Sequence, residues 1–459
     1  MYTIDFKHPV HVHFIGIGGI SMSGLSEILL KEGFTISGSD MKASGITAHL
    51  EALGAKIYIG QKASNITSGI DLVVYTAAIH EDNEEFAACV AAGLPMMTRA
   101  ALLGQIMANY ERSIAVSGTH GKTTTTSMLS HILLEACADP TVSVGGILDA
   151  IGGNIRVGSS DVFITEACEY TNSFFEFYPK YNIILNIEED HMDFFKDLAD
   201  IQNSFKRFAH QTAKDGLLVL NSEIDCIPFL TEGLEAPYVT YGITGSENYH
   251  AANITFDEMG HGHYELFVNG ESFGQVDLSV NGMHNITNSL STIAVAHAMG
   301  FSMDTIKKGI LAFGGTHRRF EYKGTTQDFV IIDDYAHHPT EIKATLVSAK
   351  NYPHKELWVV FQPHTYTRTK AFLDGFVDAL SGFDHIILAD IYAAREKDPG
   401  DIHSRDILKG LLEKGCDAYY LSTFAEIETF ILEKCKKDDL LITMGAGDVV
   451  NIGENLLNR

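Results

Sequence analysis

The chain is poor in cysteine, in positive charge and in long apolar runs, and each scarcity removes a class of function. Its six cysteines (Cys89, Cys137, Cys168, Cys226, Cys416, Cys435) are scattered through 459 residues with no C-x-x-C pair, which excludes a disulfide-stapled secreted scaffold and leaves reduced thiols in a cytoplasmic protein as the expectation. Lys and Arg number 33 against 59 Asp and Glu, a formal net charge of -26; nucleic acid and anionic membrane surfaces are therefore poor partners. The apolar stretch from Val10 to Ile20 is interrupted by His11, His13 and several glycines, so it is neither a signal-peptide core nor a membrane span. What remains, 45% hydrophobic and 20% charged residues, is the composition of a soluble globular enzyme. The length suits about three domains.

The strongest local signal is Ser117-Gly118-Thr119-His120-Gly121-Lys122-Thr123-Thr124, after the apolar run Ile114-Ala115-Val116 and before a helical pattern carried by Met128, Leu129, Ile132, Leu133 and Ala136. A glycine loop between a strand and a helix N-terminus gathers unpaired N–H groups and the positive end of the helix dipole, which favours an anion. Lys122 supplies a charge for β- and γ-phosphates and Thr123 a hydroxyl for Mg²⁺, so a nucleoside triphosphate is the expected ligand. The strict P-loop spacing wants a glycine where Val116 stands.

Towards the N-terminus, the run Val10 to Ile15 reads as a strand, followed by Gly16-Ile17-Gly18-Gly19-Ile20-Ser21 and a helical segment. A second strand leads to Gly38-Ser39-Asp40, and an acid at that distance from the first glycine suits a ribose hydroxyl in a dinucleotide-type fold. Ser21 replaces the third glycine of the fingerprint, which weakens a nicotinamide cofactor but leaves a nucleotide diphosphate. Alternating strand and helix patterns continue to Ala108, and Arg99 reads as a surface charge at a helix start.

In the middle third, one expected strand ends at Glu166 and another, Asn182 to Ile187, ends in Glu188-Glu189-Asp190-His191. Strand C-termini line the ligand crevice of an open parallel sheet, which directs Glu166 and His191 at the phosphates as ligands for Mg²⁺ or Mn²⁺. Tyr264 to Val268 and Ser272 to Val280 flank Asn269-Gly270, the signature of a hairpin with a type I′ turn; it is expected to be an accessory antiparallel sheet without catalytic residues. Beyond Gly314-Gly315-Thr316-His317-Arg318-Arg319-Phe320, a glycine-bearing hinge with two arginines that could reach phosphate, strand and helix patterns alternate again. Their strand ends carry Asp333-Asp334-Tyr335-Ala336-His337-His338 and Gln362-Pro363-His364-Thr365-Tyr366-Thr367-Arg368.

Gly118-Thr119-His120-Gly121-Lys122-Thr123, Glu166-Ala167-Cys168-Glu169-Tyr170, Asn186 to His191 and Gly282-Met283-His284-Asn285 together resemble the Mur ligase family of ATP-dependent amide-bond ligases, and the resemblance runs the length of the chain. It implies an α/β protein of three domains. Residues 1–108 form a Rossmann-like UDP-sugar-binding domain, 109–316 a central P-loop ATPase-like domain with a parallel sheet and accessory antiparallel strands, and 317–459 a Rossmann-like amino-acid-binding domain. Gly16-Ile17-Gly18-Gly19-Ile20 and Gly38-Ser39-Asp40 point within the family to ATP-driven joining of L-alanine to the carboxylate of UDP-N-acetylmuramate through an acyl phosphate. Attachment of a tripeptide is the alternative inside the family; a nicotinamide-dependent oxidoreductase and a non-catalytic nucleotide-binding regulator are alternatives outside it.

By the same resemblance, Lys122 and Thr123 hold ATP and its Mg²⁺, and Glu166 and His191 hold a second Mg²⁺. His284, Asn285, Asn288, Arg319 and Asp334 contact the nucleotide, while Gly16, Gly18, Gly19, Ser39 and Asp40 receive the UDP-sugar. Tyr335, His337, His364 and Arg368 surround the amino acid and the reacting phosphate. Cys168 and Tyr170 stand where some members carry Asp and Ser, Thr365 stands where some carry Arg, and Glu169 has no assigned role. Lys206 lies on the segment where some members carry a carbamylated lysine. A monomer or homodimer is expected.

Overall fold

The computed structural model describes residues 2–76, 78–326, 328–394 and 396–458, and its strands form three sheets. The first orders Lys56–Ile59, Thr35–Asp40, His11–Ile15, Leu72–Tyr75 and Met96–Thr98, all parallel. Val12, Phe14, Val73 and Val74 are wholly buried, as strands covered by helices on both faces require. The order places the crevice at the C-terminal end of the His11–Ile15 strand, where neighbouring connections leave in opposite directions.

The central sheet has ten strands. Its parallel body contains Tyr238–Gly242, Leu217–Asn221, Tyr181–Ile184, Arg112–Ser117, Val162–Glu166 and Thr141–Leu148. The expected hairpin is present as His261–Val268 and Glu271–Asn281, with Asn269 and Gly270 at φ 50° and 83° in the turn. It is not a separate sheet: Tyr249–Phe256 joins it to the parallel body. The third sheet is parallel from Val330–Asp334 through Leu440–Met444, Leu357–Phe361 and His385–Leu388 to Asp417–Tyr420, with Glu321–Thr325 antiparallel at one edge.

One strand departs from the sequence expectation. It stops at Ile184 rather than Ile187; beyond it the Leu185 N–H donates to the Ser117 carbonyl and the Asn186 carbonyl accepts the Thr119 N–H, so this backbone holds the glycine loop. The cores also differ in reach. A single apolar cluster runs from Val12, Phe14, Leu102 and Ile106 into Phe163, Phe174 and Phe205 of the central region, whereas the clusters of the third sheet are made from its own residues, such as Ile332, Phe361 and Ile442. Among the described residues no helix is long and apolar enough to cross a membrane, and all six cysteines are free thiols.

Candidate active site

The strand Arg112–Ser117 delivers Ser117 into a loop that ends at the helix Lys122–Glu135, whose N-cap is Gly121 at φ 83°. Gly118, at φ 138°, passes so close to the neighbouring strand end that a Cβ there would lie 2.9 Å from Leu185 Cβ. Asn186 fastens the loop: its Oδ1 accepts the His120 N–H at 2.8 Å, and its Nδ2 donates to the His120 carbonyl at 3.2 Å. The Glu188 N–H donates to Thr119 Oγ1 at 2.9 Å. Helix N–H groups and loop geometry are thus set by the protein before any anion arrives.

Lys122 lies folded over this loop. Its Nζ donates to the carbonyls of Gly118 at 2.5 Å and Thr119 at 3.1 Å, and to Glu169 Oε2 at 3.0 Å. Burial alone would lower the lysine pKa; the Glu169 carboxylate outweighs it and raises the value. Glu169 is 2% exposed, and its Oε1 also lies 3.7 Å from His191 Nε2. Sequence reasoning left this glutamate without a role, although its place three residues after Glu166 at a strand end was the available signal.

The expected metal ligands occupy two neighbouring places. Glu166 Oε1 accepts the Gly145 N–H at 2.5 Å. Glycines keep the space beside it clear: a Cβ at Gly145 would stand 3.0 Å from both Glu166 oxygens, and one at Gly146 would stand 3.1 Å from Thr123 Cγ2. A hydroxyl and a carboxylate around a pocket that side chains would fill fit a small divalent cation with oxygen ligands. His191, at φ 55°, has Glu169 and Asp190 as its nearest carboxylates, each 3.7 Å from Nε2. Burial lowers the His191 pKa, so the ring is neutral and able to ligate.

Arg368 reaches into this group from the third sheet. Its Nη2 lies 2.9 Å from Asp190 Oδ1 and its Nε 3.2 Å from the same oxygen, while Nη1 meets His364 Nδ1 at 3.1 Å. Burial would raise Asp190, yet the Arg368 guanidinium and then His191 hold it well below the usual carboxylate range. Thr365, which caps the helix Tyr366–Ala371 from φ 65° and accepts from the Arg368 N–H, positions this arginine. His364 stacks on Tyr392 and lies ring to ring with His337 at 5.7 Å. His337 Nδ1 is 2.9 Å from the Tyr335 carbonyl, an arrangement that puts the proton on Nδ1 and frees Nε2 as a base; burial lowers its pKa.

Beside the loop opens a cavity of about 890 Å³ lined by His284, Asn285, Asn288, Arg319, Asp334 and Thr124, among others. None of the first three caps its helix, whose N-cap Gly282 has no side-chain bond; Asn288 instead faces Gly121, where a Cβ would meet its Oδ1 at 3.2 Å. Burial and then Arg319 push His284 down to about 4. Burial raises Asp334 to about 6, partly offset by Arg319. The hairpin, expected to carry no catalytic residues, contributes His261, Ser279, Val280 and Asn281 to the cavity wall, and Met259 in the turn before it adds to the same wall.

Several expectations are corrected by geometry. Arg318 is not available to phosphate: it pairs with Asp333 at 3.0 Å and donates to the carbonyls of Gly445 and Gly447. The buried Ser39 hydroxyl is engaged within the protein: it donates to Glu85 at 2.5 Å, and Glu85 also meets His13 at 2.9 Å. Asp40 Oδ2 accepts the Gly18 N–H at 2.9 Å and braces the glycine loop, whose Gly16 sits at φ 87°. Gly19 is the extended N-cap of the helix Ile20–Lys31, whose Ile20 and Ser23 share a cavity with Thr123, Gly145 and Gly146. Arg99 is not a free surface charge: it is half-buried, Nη1 donates to Ser21 at 3.0 Å, and burial lowers its pKa. Lys206 pairs with Glu232 and lies over Phe229, away from Lys122 and its partners.

Known proteins share this plan. Residues 11–111 match the Mur ligase family catalytic domain, 116–296 the Mur ligase middle domain, and 318–447 the Mur ligase glutamate ligase domain. A UDP-N-acetylmuramate–L-alanine ligase of Agathobacter rectalis is 58% identical over 100% of both chains, and one of Caldanaerobacter subterraneus is 48% identical over 99% of both. Among solved structures, the UDP-N-acetylmuramate-alanine ligase of Thermotoga maritima superposes with TM-score 0.79 at 29% identity, covering 98% of this chain and 99% of that one. A murein peptide ligase of Psychrobacter arcticus gives 0.69 at 25% identity over 98% of each. With all three domains matched in order and full-length relatives at this identity, the chain belongs to the Mur ligase family.

Proposed function

We propose that this chain is an ATP-dependent ligase that joins L-alanine to the lactyl carboxylate of UDP-N-acetylmuramate in the cytoplasm, the first amino-acid addition to a peptidoglycan precursor. The observation that carries the reading is the chain of contacts that joins Lys122, Glu169 and His191 to Asp190 and, through it, to Arg368 of the third unit, next to the loop that borders the cavity. Full-length relatives at 48–58% identity carry that activity in their names, and of the two solved structures described above, each covering 98% of this chain, the alanine ligase stands at 29% against 25% for the murein peptide ligase. Identity therefore favours alanine over a tripeptide.

The chemistry needs a leaving group, because a carboxylate and an ammonium do not condense in water. A carboxylate oxygen of the sugar's lactyl group attacks the γ-phosphorus of ATP, ADP departs, and an acyl phosphate forms. The alanine nitrogen, after losing a proton, attacks the acyl carbon, and inorganic phosphate leaves from the tetrahedral intermediate. Lys122 sits at the loop to offset charge on the transferring phosphoryl group. His337, neutral and with Nε2 free, takes the ammonium proton, and Arg368 with His364 orients the amino-acid carboxylate. Tyr335, flanked by Arg318 and Arg319 within about 5 Å of its ring, limits the side chain admitted. Mg²⁺, or Mn²⁺, when bound by Thr123, Glu166 and His191, would neutralise phosphate charge.

Of the proposed divisions, residues 1–108 bring the UDP-sugar through Gly16, Gly18 and Gly19, 109–316 hold ATP, and 317–459 bring the amino acid. The deciding assay is phosphate release by purified protein with ATP and UDP-N-acetylmuramate, comparing L-alanine with the tripeptide. Release with L-alanine alone is expected, and Lys122→Ala lowers it about a thousandfold. Preference for the tripeptide, or near-normal turnover in the lysine variant, would overturn the reading. Nicotinamide cofactor binding would be the mark of the oxidoreductase alternative.

A further inference from the structure

His120, Glu188 and His338 come from three separate segments: the phosphate loop, the chain after the strand Tyr181–Ile184, and the cap of the helix Pro339–Lys350 on the third sheet. One nitrogen of each imidazole and one Glu188 oxygen lie within 4.8 Å of one another. His120 Nε2 and Glu188 Oε2 are 3.6 Å apart, too far for a hydrogen bond. Two ligands about 2.1 Å from a shared tetrahedral ion stand at nearly that spacing. Both imidazoles keep a buried nitrogen without a hydrogen-bond partner, Nε2 in each case, and His338 is only 5% exposed. A buried polar atom without a partner is costly unless something supplies one.

The groups behind these three are those that orient metal ligands. Glu341 Oε1 lies 3.2 Å from His120 Nδ1, the carboxylate–imidazole arrangement that fixes a ligating ring. Thr340 Oγ1 donates to Glu188 Oε2 at 2.7 Å, which orients the carboxylate. Glu188 is the least buried member of the set and gives an ion its entry path; His120, Glu188, Thr340 and Glu341 all line the nucleotide cavity.

We propose that His120, Glu188 and His338 form a transition-metal site, best suited to Zn²⁺, that is separate from the Thr123, Glu166 and His191 set and bridges the phosphate loop to the third sheet. Two imidazoles and a carboxylate match Zn²⁺ or Co²⁺ and suit Mg²⁺ poorly. The remaining coordination position opens into the nucleotide cavity. Binding has a local cost: His338 Nδ1 now accepts the Thr340 N–H at 3.3 Å, so its proton moves from Nε2 to Nδ1 and that long cap bond is given up. His337, the adjacent imidazole, is not a member of this cluster.

The test needs neither ATP nor sugar, so it stands apart from the ligase reading. Zn²⁺ is titrated calorimetrically into the full-length, Mg²⁺-free protein, and Co²⁺ is used as a visible-absorption probe of coordination. Expected are one tight Zn²⁺ per chain, tetrahedral Co²⁺ bands, and at least about tenfold weaker binding in both Glu188→Gln and His338→Gln. His191→Gln should bind Zn²⁺ as the parent does. Undiminished binding in Glu188→Gln, abolition in His191→Gln, or a thiolate-to-Co²⁺ charge-transfer band would each overturn the assignment. If His338→Gln does not fold by circular dichroism, Glu188→Gln decides.

Discussion

The two flanking α/β units read almost alike as sequence, yet they are attached to the centre by different forces. The first shares one continuous apolar cluster with the central region, and its helix Arg99–Met107 packs on the segment Tyr170–Glu176 so tightly that a Cβ at Gly104 would lie 2.0 Å from the Glu176 carbonyl. The third meets the centre through charges and hydroxyls: Arg368 on Asp190, Thr340 on Glu188, His120 against Glu341 and His317 on Asp149. Close-packed apolar contact resists small displacements, whereas a polar seam exchanges its bonds with water at little net cost. The third unit is therefore the one suited to open and close over substrates, and the first is a fixed platform.

Substitutions on either side of that contrast should separate stability from turnover. Phe174, stacked on Phe208 at 4.5 Å and wholly buried, belongs to the shared cluster; Phe174→Ala should cost about 3–5 kcal/mol in urea unfolding, and a loss confined to turnover would contradict a fixed apolar platform. Arg368→Ala breaks the polar seam at Asp190 and should lower kcat about a hundredfold with a much smaller change in unfolding midpoint. A variant equally destabilised as Phe174→Ala would erase the distinction.

Glu169→Gln keeps shape and removes the charge that holds Lys122 beside His191; about tenfold slower phosphate release is expected, with the KM for UDP-N-acetylmuramate unchanged. An effect on that KM alone would place Glu169 on the platform side.

The smallest effect concerns Asp334. Its pKa is raised to about 6, chiefly by burial, so the folded chain disfavours its charged form. The stability it contributes is complete below the unfolded carboxylate pKa and is lost as pH rises through about 6. Asp334→Asn removes that slope, and its stability relative to the parent should improve between about pH 4 and pH 6.5 and stay level above it. A constant difference across that range would show that Asp334 is not the titrating group.

Local pattern was enough for much of this protein. The alternation of apolar strands and amphipathic helices fixes three α/β units, because periodicity of side chains along a strand or helix is a property of adjacent residues. The glycine loop at Ser117 and the Asn269-Gly270 turn were equally legible, since backbone freedom and helix-end charge are local. Strand ends rich in Glu, His and Arg marked the crevice.

Pairings between distant residues were not legible. Nothing adjacent to Glu169 says that it will meet Lys122, and nothing near Ser39 says that its hydroxyl will be taken by Glu85 rather than by a ligand. The same holds for Arg318 and Arg319, neighbours in the chain that folding sends to Asp333 and to the cavity beside the glycine loop. Electrostatic and hydrogen-bond partners are chosen by distance in space, over which the order of residues has no direct hold. Residue type told which groups were able to do chemistry; packing of the three sheets chose which of them stand together, which are spent on holding the frame, and along which seam the molecule is free to move.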